Sequence, residues 1–297
     1  MAPIRVDRTK APSSDWTVSQ NWSRYTAAEH TVWDRLFDRQ TRLLPNRATP
    51  EFIAGLNILQ MSKPGIPDFE ELSDRLMKAT GWQVVAVEGL VPDEIFYDHL
   101  ANRRFVAGNF IRKPDQLDYL QEPDVFHDVF GHVPLLAHPV FADYMQAFGI
   151  GGQRATAMGV VDRLARLYWY TVEFGLVRSD AGLRIYGAGI VSSYGETLFA
   201  LKDASPNRLG FDLKRLMRTR YRIDDYQQNY FVIDSFDDLL RQTLETDFGP
   251  LYAEIEGQPD IEIASLLPTD TIYTRGTQSY VRGNTPADDQ IATRVHE

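Results

Sequence analysis

Residues 121–136 read QEPDVFHDVFGHVPLL, and the local fold of this stretch decides how the rest of the chain must be arranged. His127 and His132 stand five residues apart. On a regular α-helix that spacing turns the two side chains well away from each other around the axis, so a plain helix cannot aim both at one point. The punctuation suggests another arrangement. Pro123 suits a first helical turn, Gly131 suits a terminus, and Pro134 opposes continuation. A short helix is therefore expected, with His127 in its last turn and His132 just past its end. The pattern is distinct from HExxH, where two histidines four apart share a helical face and a glutamate is the general base of zinc hydrolysis. Asp128 follows His127 here, and HExxH occurs nowhere in the chain.

Working outward, the next informative group is Glu173, 41 positions after His132 in the run LARLYWYTVEFGL (164–176). Val172 and Phe174 flank it, and Tyr168, Trp169 and Tyr170 precede it. A carboxylate among such neighbours is at least partly buried, which is costly without a cation or hydrogen-bond donors. Two neutral imidazoles and one carboxylate on one face of a divalent metal form the facial triad of non-haem Fe(II) oxygenases, with the opposite face open to dioxygen and substrate. Each part alone also has a plainer reading. The histidine pair suits helix-end polar groups satisfied by water, Glu173 an exposed helix position, and the aromatic stripe ordinary core. The same ligand types also bind Zn²⁺ and could activate water, so a zinc-dependent hydrolase is the alternative from another class. A structural metal in an idle binding protein is disfavoured, because closed structural zinc sites use four ligands.

Composition narrows the class further. The chain has 297 residues, 43% of them hydrophobic, which is ample for a packed core. Neither a low-complexity linker, nor a repeat, nor a long charge block divides residues 20–265, so one domain spanning 1–297 is expected, with loosely ordered tails at 1–20 and 266–297. A net charge of -10, without lysines and arginines interleaved with aromatics, opposes a nucleic-acid partner. Zero cysteines exclude disulfides, thiolate-held iron–sulfur clusters and a haem-thiolate oxygenase. The opening MAPIRVDRTKAPSSDW has no apolar core of signal-peptide length, and no run reaches transmembrane length. A soluble, cytoplasmic protein with no membrane partner is expected.

The coarse pattern is α+β and predominantly helical. Thr26 and Glu29 form a capping box, after which Val32, Trp33, Leu36, Phe37, Leu43 and Leu44 recur at helical spacing. Further helices are predicted near 50–60, 68–79, 92–103, 138–148, 155–177, 211–220 and 236–247. A few short strands are predicted at 82–87, 105–112, 183–186 and 230–234 from β-formers bounded by turn signals.

The runs QEPDVFHDVFGHVPLL, LARLYWYTVEFGL and RIYGAGIVSSYGE (184–196) closely resemble the aromatic amino acid hydroxylases, in order, from about RYTAAEHTVW (24–33) through YFVIDSF (230–236). The short length is most like the single-domain bacterial members. The resemblance implies that family's catalytic domain, with Fe(II) held by His127, His132 and Glu173, a tetrahydropterin co-substrate, dioxygen, and conversion of L-phenylalanine to L-tyrosine. Tyrosine and tryptophan hydroxylation use the same iron site and stay open as alternatives. Animal members add a regulatory domain and a tetramerisation helix for which this sequence has no room, so a monomer is expected.

The resemblance also assigns the surroundings. VEGLVPDEIF (87–96) is similar to the family's pterin-binding stretch, so Gly89, Leu90 and Val91 would offer backbone groups to the pterin while Phe96 stacks on its ring. Without the resemblance, this segment reads as a strand-to-helix turn with Phe96 in the core. Arg112, in FIRKPDQLDY (110–119), matches the arginine for the substrate carboxylate, where a planar guanidinium gives two parallel hydrogen bonds. Tyr119, Trp169, Gly189 and Ser192 fall at other substrate-pocket positions, and Tyr168 and Glu196 near the metal or pterin. Two residues depart from the animal pattern: Leu120 replaces a threonine, and Asp128 replaces a glutamate near the pterin, where its shorter stem favours a water-bridged contact.

Overall fold

A computed structural model of the chain describes residues 15–118 and 122–283. The first helix, α1 (Ala27–Leu43), begins at the expected capping box: the Thr26 side chain accepts from the Glu29 N–H while Glu29 accepts from the Thr26 N–H. Its inner face buries Val32, Trp33 and Leu36. Next come α2 (Pro50–Ile58) and α3 (Phe69–Thr80), the latter capped by Asp68 and closed by Gly81. A parallel pair, β1 (Gln83–Val87) and β2 (Arg104–Gly108), is connected through α4 (Asp93–Ala101) in register Gln83↔Arg104. The strand ends at Gly108, so Arg112 lies in the following loop rather than within a strand running to 112.

The two segments that matter most are wound as π-helix, at Phe126–His132 and Trp169–Glu173. The first runs straight into α5 (Val133–Leu136), in whose first turn Pro134 lies. A proline there forfeits no required donor, so it does not stop the helix as its sequence context suggested. The long α6 (Pro139–Met158) spans what the periodicity divided in two, and it ends at Gly159 with φ 71°. The predicted 155–177 helix is accordingly shorter: α7 (Val161–Tyr168) precedes the second π segment. α4 lies close against α6 because Gly149 and Gly152 face it. A Cβ at Gly149 would strike the Leu100–Ala101 backbone, and one at Gly152 the Tyr97 ring.

The second sheet has the order β4-β3-β6-β5-β7 and was only half expected. Its strands are β3 (Leu176–Ser179), β4 (Gly182–Ile185), β5 (Asn207–Gly210), β6 (Asn229–Ile233) and β7 (Ile272–Thr274). β3 and β5 flank β6 in parallel, while β4 and β7 are antiparallel edges. Between the strands run α8 (Ala188–Val191), α9 (Tyr194–Lys202) and α10 (Leu213–Met217), followed by α11 (Phe236–Glu245) and α12 (Phe248–Ile255). Residues 266–283, read from sequence as part of a loose tail, carry β7 and α13 (Ser279–Gly283). They are pinned by the buried Arg215–Asp270 pair and by Tyr280 packing on Phe199. At the other end, Val18 bridges to Ala86.

Candidate metal centre and cofactor pocket

The π-winding solves the spacing problem posed by His127 and His132. A π-helix bonds i to i+5, so residues five apart come onto one face. The His127 and His132 Nε2 atoms are 3.3 Å apart. The second π segment delivers Glu173 to the same point: its Oε1 lies 3.1 Å from His132 Nε2 and its Oε2 3.6 Å from His127 Nε2. One ligand atom from each of the three falls within 4.8 Å of the others. The short helix with His132 beyond its end is thus replaced by one continuous turn holding both histidines.

The protonation state follows from the hydrogen bonds. The Ser192 hydroxyl donates its single proton to the Ala188 carbonyl at 2.7 Å. It must then accept from His127 Nδ1, 3.0 Å away, which places the imidazole proton on Nδ1 and leaves Nε2 a bare lone pair facing Glu173. Burial pushes the His127 imidazole down to about 4 despite nearby Glu173, so it is neutral near pH 7. Burial raises the Glu173 carboxyl, but His132, His127 and the Gly189 N–H outweigh it and hold the group below its ordinary range. The bare His127 Nε2 and the Glu173 carboxylate face each other at 3.6 Å with His132 Nε2 beside both at 3.1–3.3 Å, a donor set that suits a cation between them. Metal–ligand bonds of about 2.1 Å put adjacent donors about 3 Å apart, so the set fits a divalent metal.

Around this point the structure gathers several of the other residues singled out by sequence. Tyr168 stacks toward His132 with ring centroids 6.2 Å apart and meets Phe96 edge-on at 5.6 Å. Phe96 and Tyr168 therefore form an aromatic wall beside the histidines. Gly89 has φ 94°, a conformation that favours glycine, and a Cβ there would lie 3.4 Å from Glu122 Oε1. Leu90 beside it is 74% exposed, so the loop presents backbone rather than a packed side chain. The Asp128 carboxylate accepts from the Gly108 N–H at 2.7 Å, and burial pushes its pKa up to about 7 against that bond.

Other residues take positions that their sequence assignments did not describe. Gly189 sits under Phe174, and its N–H bonds Glu173. Ser192 is spent on His127, as above. Trp169 stacks on Tyr221 at 4.4 Å and donates to Gln227 Oε1 at 2.9 Å. Glu196 is buried, accepting from Tyr230 and from the Gln227 N–H at 3.2 Å, and burial lifts it to about 7 against those donors. Tyr119 and Leu120 lie outside the described residues.

Arg112 is buried, and one edge of its guanidinium is closed by Asp124: Nε to Oδ2 is 2.9 Å and Nη2 to Oδ1 is 2.8 Å. Nη1 reaches only the Leu117 carbonyl at 3.5 Å. Asp124 also accepts from the His127 N–H at 3.1 Å, so one carboxylate ties the arginine to the first histidine. Burial raises its carboxyl, but the Arg112 guanidinium and the backbone donors hold it below its ordinary range. Sequence reasoning missed Asp124. The available signal was an aspartate three residues ahead of a helical histidine, the spacing at which its side chain reaches a free backbone N–H.

A pair of imidazoles and one carboxylate, beside an aromatic wall, define a mononuclear metal enzyme of the facial-triad class. The chain belongs to the biopterin-dependent aromatic amino acid hydroxylases, whose family pattern matches residues 18–248. It is 62% identical over 266 residues to a phenylalanine-4-hydroxylase of Caulobacter vibrioides, covering 90% of each chain. Among solved structures it is similar to Chromobacterium violaceum phenylalanine hydroxylase with bound iron(III) and oxidised 7,8-dihydrobiopterin, at TM-score 0.84 and 53% identity over 88% of this chain and 94% of that one. The iron- and phenylalanine-bound form of the same enzyme matches at TM-score 0.84 and 52% identity, with the same coverage.

Proposed function

We propose that this chain is a tetrahydropterin-dependent iron monooxygenase converting L-phenylalanine and dioxygen to L-tyrosine. The convergence of His127, His132 and Glu173 within 4.8 Å carries the reading. Iron and tetrahydropterin, when bound, supply the reductive activation of dioxygen. The protein's part is placement. His127, its tautomer fixed by Ser192, presents Nε2 together with His132 and Glu173 and so confines the metal to three adjacent positions. Phe96 would supply a ring face for the pterin and Gly89, Leu90 and Val91 backbone donors and acceptors to its edge, with Asp128 and Tyr168 beside the triad. Glu196, bonded to Tyr230 and the Gln227 N–H, is assigned to this set from the sequence alone. Arg112 is pre-oriented by Asp124, so its outer N–H groups can fix a carboxylate without first losing side-chain freedom. Trp169 and Gly189 shape the pocket, and Tyr119 is assigned to it from the sequence alone.

No helix among the described residues is long and apolar enough to cross a membrane. We infer a cytoplasmic monomer, which sedimentation of the purified chain checks. Product identification with phenylalanine, tyrosine and tryptophan offered together, in the presence of Fe(II) and tetrahydropterin, tests the substrate. The expected product is tyrosine formed from phenylalanine. A dominant hydroxytryptophan product would reassign the substrate, and hydrolysis by zinc-loaded protein without pterin would reassign the reaction.

A further inference from the structure

A cavity of about 600 Å³, away from the triad, opens between the loop after α1, the β3–β4 turn, the end of α9 and β5. None of the triad or of the residues assigned to the pterin and substrate lines it. Its wall carries four cationic side chains, Arg47, Arg184, Lys202 and Arg208, and no carboxylate. This is unexpected in a chain of net charge -10, whose other buried arginines, Arg112 and Arg215, each hold an aspartate.

The four cations lack anionic partners. None lies within ion-pair distance of a carboxylate of the described residues, although thirteen other arginines and two lysines do. Arg208 is 4% exposed. Its Nε donates to the Ala200 carbonyl at 2.7 Å, and its Nη2 to the Asp203 and Phe199 carbonyls at 2.9 and 3.3 Å. These contacts satisfy the negative end of α9 and leave Nη1 without a partner among the described residues. Among the described residues, Arg184 uses only Nη1, on the Ala181 and Leu183 carbonyls. Arg47 donates Nη1 to the Leu43 carbonyl at 2.6 Å, while its buried Nε has no partner. Forked N–H groups lining one cavity without a carboxylate suit a multiply charged oxyanion. Leu183 and Leu201 add an apolar wall against which an organic portion can pack.

We propose that this cleft binds a phosphate group, with Arg184, Lys202 and Arg47 contacting its oxygens and Arg208 fixing the floor. The cavity volume lies in the range of small-molecule sites, so either free phosphate or a phosphorylated metabolite fits. The test is calorimetric titration of the iron-loaded full chain with inorganic phosphate and, separately, adenosine 5′-diphosphate, against chloride of matched ionic strength. Saturable binding above the chloride blank is expected. It should weaken by about ten-fold or more in R184Q/K202Q, whose side chains lie outside the hydroxylation machinery, with melting temperature and turnover unchanged. Lys202→Glu, a single exposed change, should weaken it in the same direction. Equal affinity for the two probes identifies free phosphate as sufficient, and tighter diphosphate binding identifies a phosphorylated organic ligand. Heats matching the chloride blank, or affinity unchanged in both variants because phosphate sits on the iron, would overturn the proposal.

Discussion

The triad and the Arg112–Asp124 pair are neighbouring buried polar constellations joined through the His127 backbone, yet they are built on opposite principles. In the pair, a donor edge and an acceptor edge close on each other at 2.8 and 2.9 Å, and each charge has its counterpart. In the triad, the bare His127 Nε2 faces the Glu173 carboxylate at 3.6 Å, acceptor against acceptor. The pair is complete as the polypeptide alone, whereas the triad leaves the His127 lone pair for a cation. The chain thus keeps a self-satisfied ion pair as framework beside an incomplete candidate metal site.

The largest expected effect breaks the complete constellation. Asp124→Ala leaves the Arg112 charge buried and uncompensated, which should destabilise the fold by about 3–5 kcal/mol. Glu173→Gln, nearly isosteric, removes a carboxylate that faces the His127 lone pair rather than a paired counter-charge. It should cost the metal-free protein roughly 1 kcal/mol, the scale of one hydrogen bond. Denaturant unfolding of the two metal-free variants side by side checks the contrast. Equal losses would show that the triad is as self-sufficient as the pair.

Glu196 supplies an intermediate case, a buried carboxylate facing neutral donors, Tyr230 and the Gln227 N–H, instead of a cation. Burial accordingly lifts it from an ordinary 4.5 to about 7. Its folded pKa exceeds its unfolded one, so the associated stability is full below about pH 4.5 and is lost as pH rises through about 7. Up to about 3 kcal/mol is at stake across that window, at about 1.4 kcal/mol per unit. Glu196→Gln should flatten this part of the stability–pH curve, read from urea midpoints at pH 5 through 8. An unchanged slope would place the titrating group elsewhere.

Smaller effects test how the incomplete site is held open. Ser192→Ala frees the His127 tautomer, and loss of such an orienting contact should weaken iron binding by about 10–100-fold while leaving the apo fold intact. Metal-competition titration reads this directly, and wild-type affinity would remove Ser192 from that role. Phe96→Ala removes one ring face next to Tyr168. A stacking contact of about 0.5–1.5 kcal/mol corresponds to a tetrahydropterin Michaelis constant raised roughly 2–10-fold, at unchanged iron content. If stability and turnover fall together and pterin affinity is preserved, Phe96 is a packing residue.

The sequence disclosed these regions unevenly, for physical reasons. Elements with a strong local signal were legible: the Thr26 capping box, the amphipathic α1 and the β-rich 230–234 run all form near their predicted positions. β3, β5 and β7 were not, because strands of three or four residues carry too little periodicity, and β5 buries the polar Asn207 and Arg208. The three metal ligands were visible as residue types. Their geometry was not, since a π-turn has no local signature that separates it from an α-helix ending at Gly131. Asp124 escaped because its significance lies in a partner 12 residues away across a loop. Ser192 was placed near the substrate, and only the paired distances to His127 and Ala188 reveal the tautomer it fixes.

The central claim, that His127, His132 and Glu173 form one cation-completed site, is tested most directly by anaerobic Fe(II) titration of metal-free wild type and His132→Ala, followed by thermal melting. Wild type should take up one equivalent and melt at a higher temperature with iron than without, because a ligand that binds only the folded state stabilises it. His132→Ala should stay folded, bind iron far more weakly, gain no thermal stability from it and form no tyrosine. One tightly bound equivalent with normal turnover in His132→Ala would contradict the account.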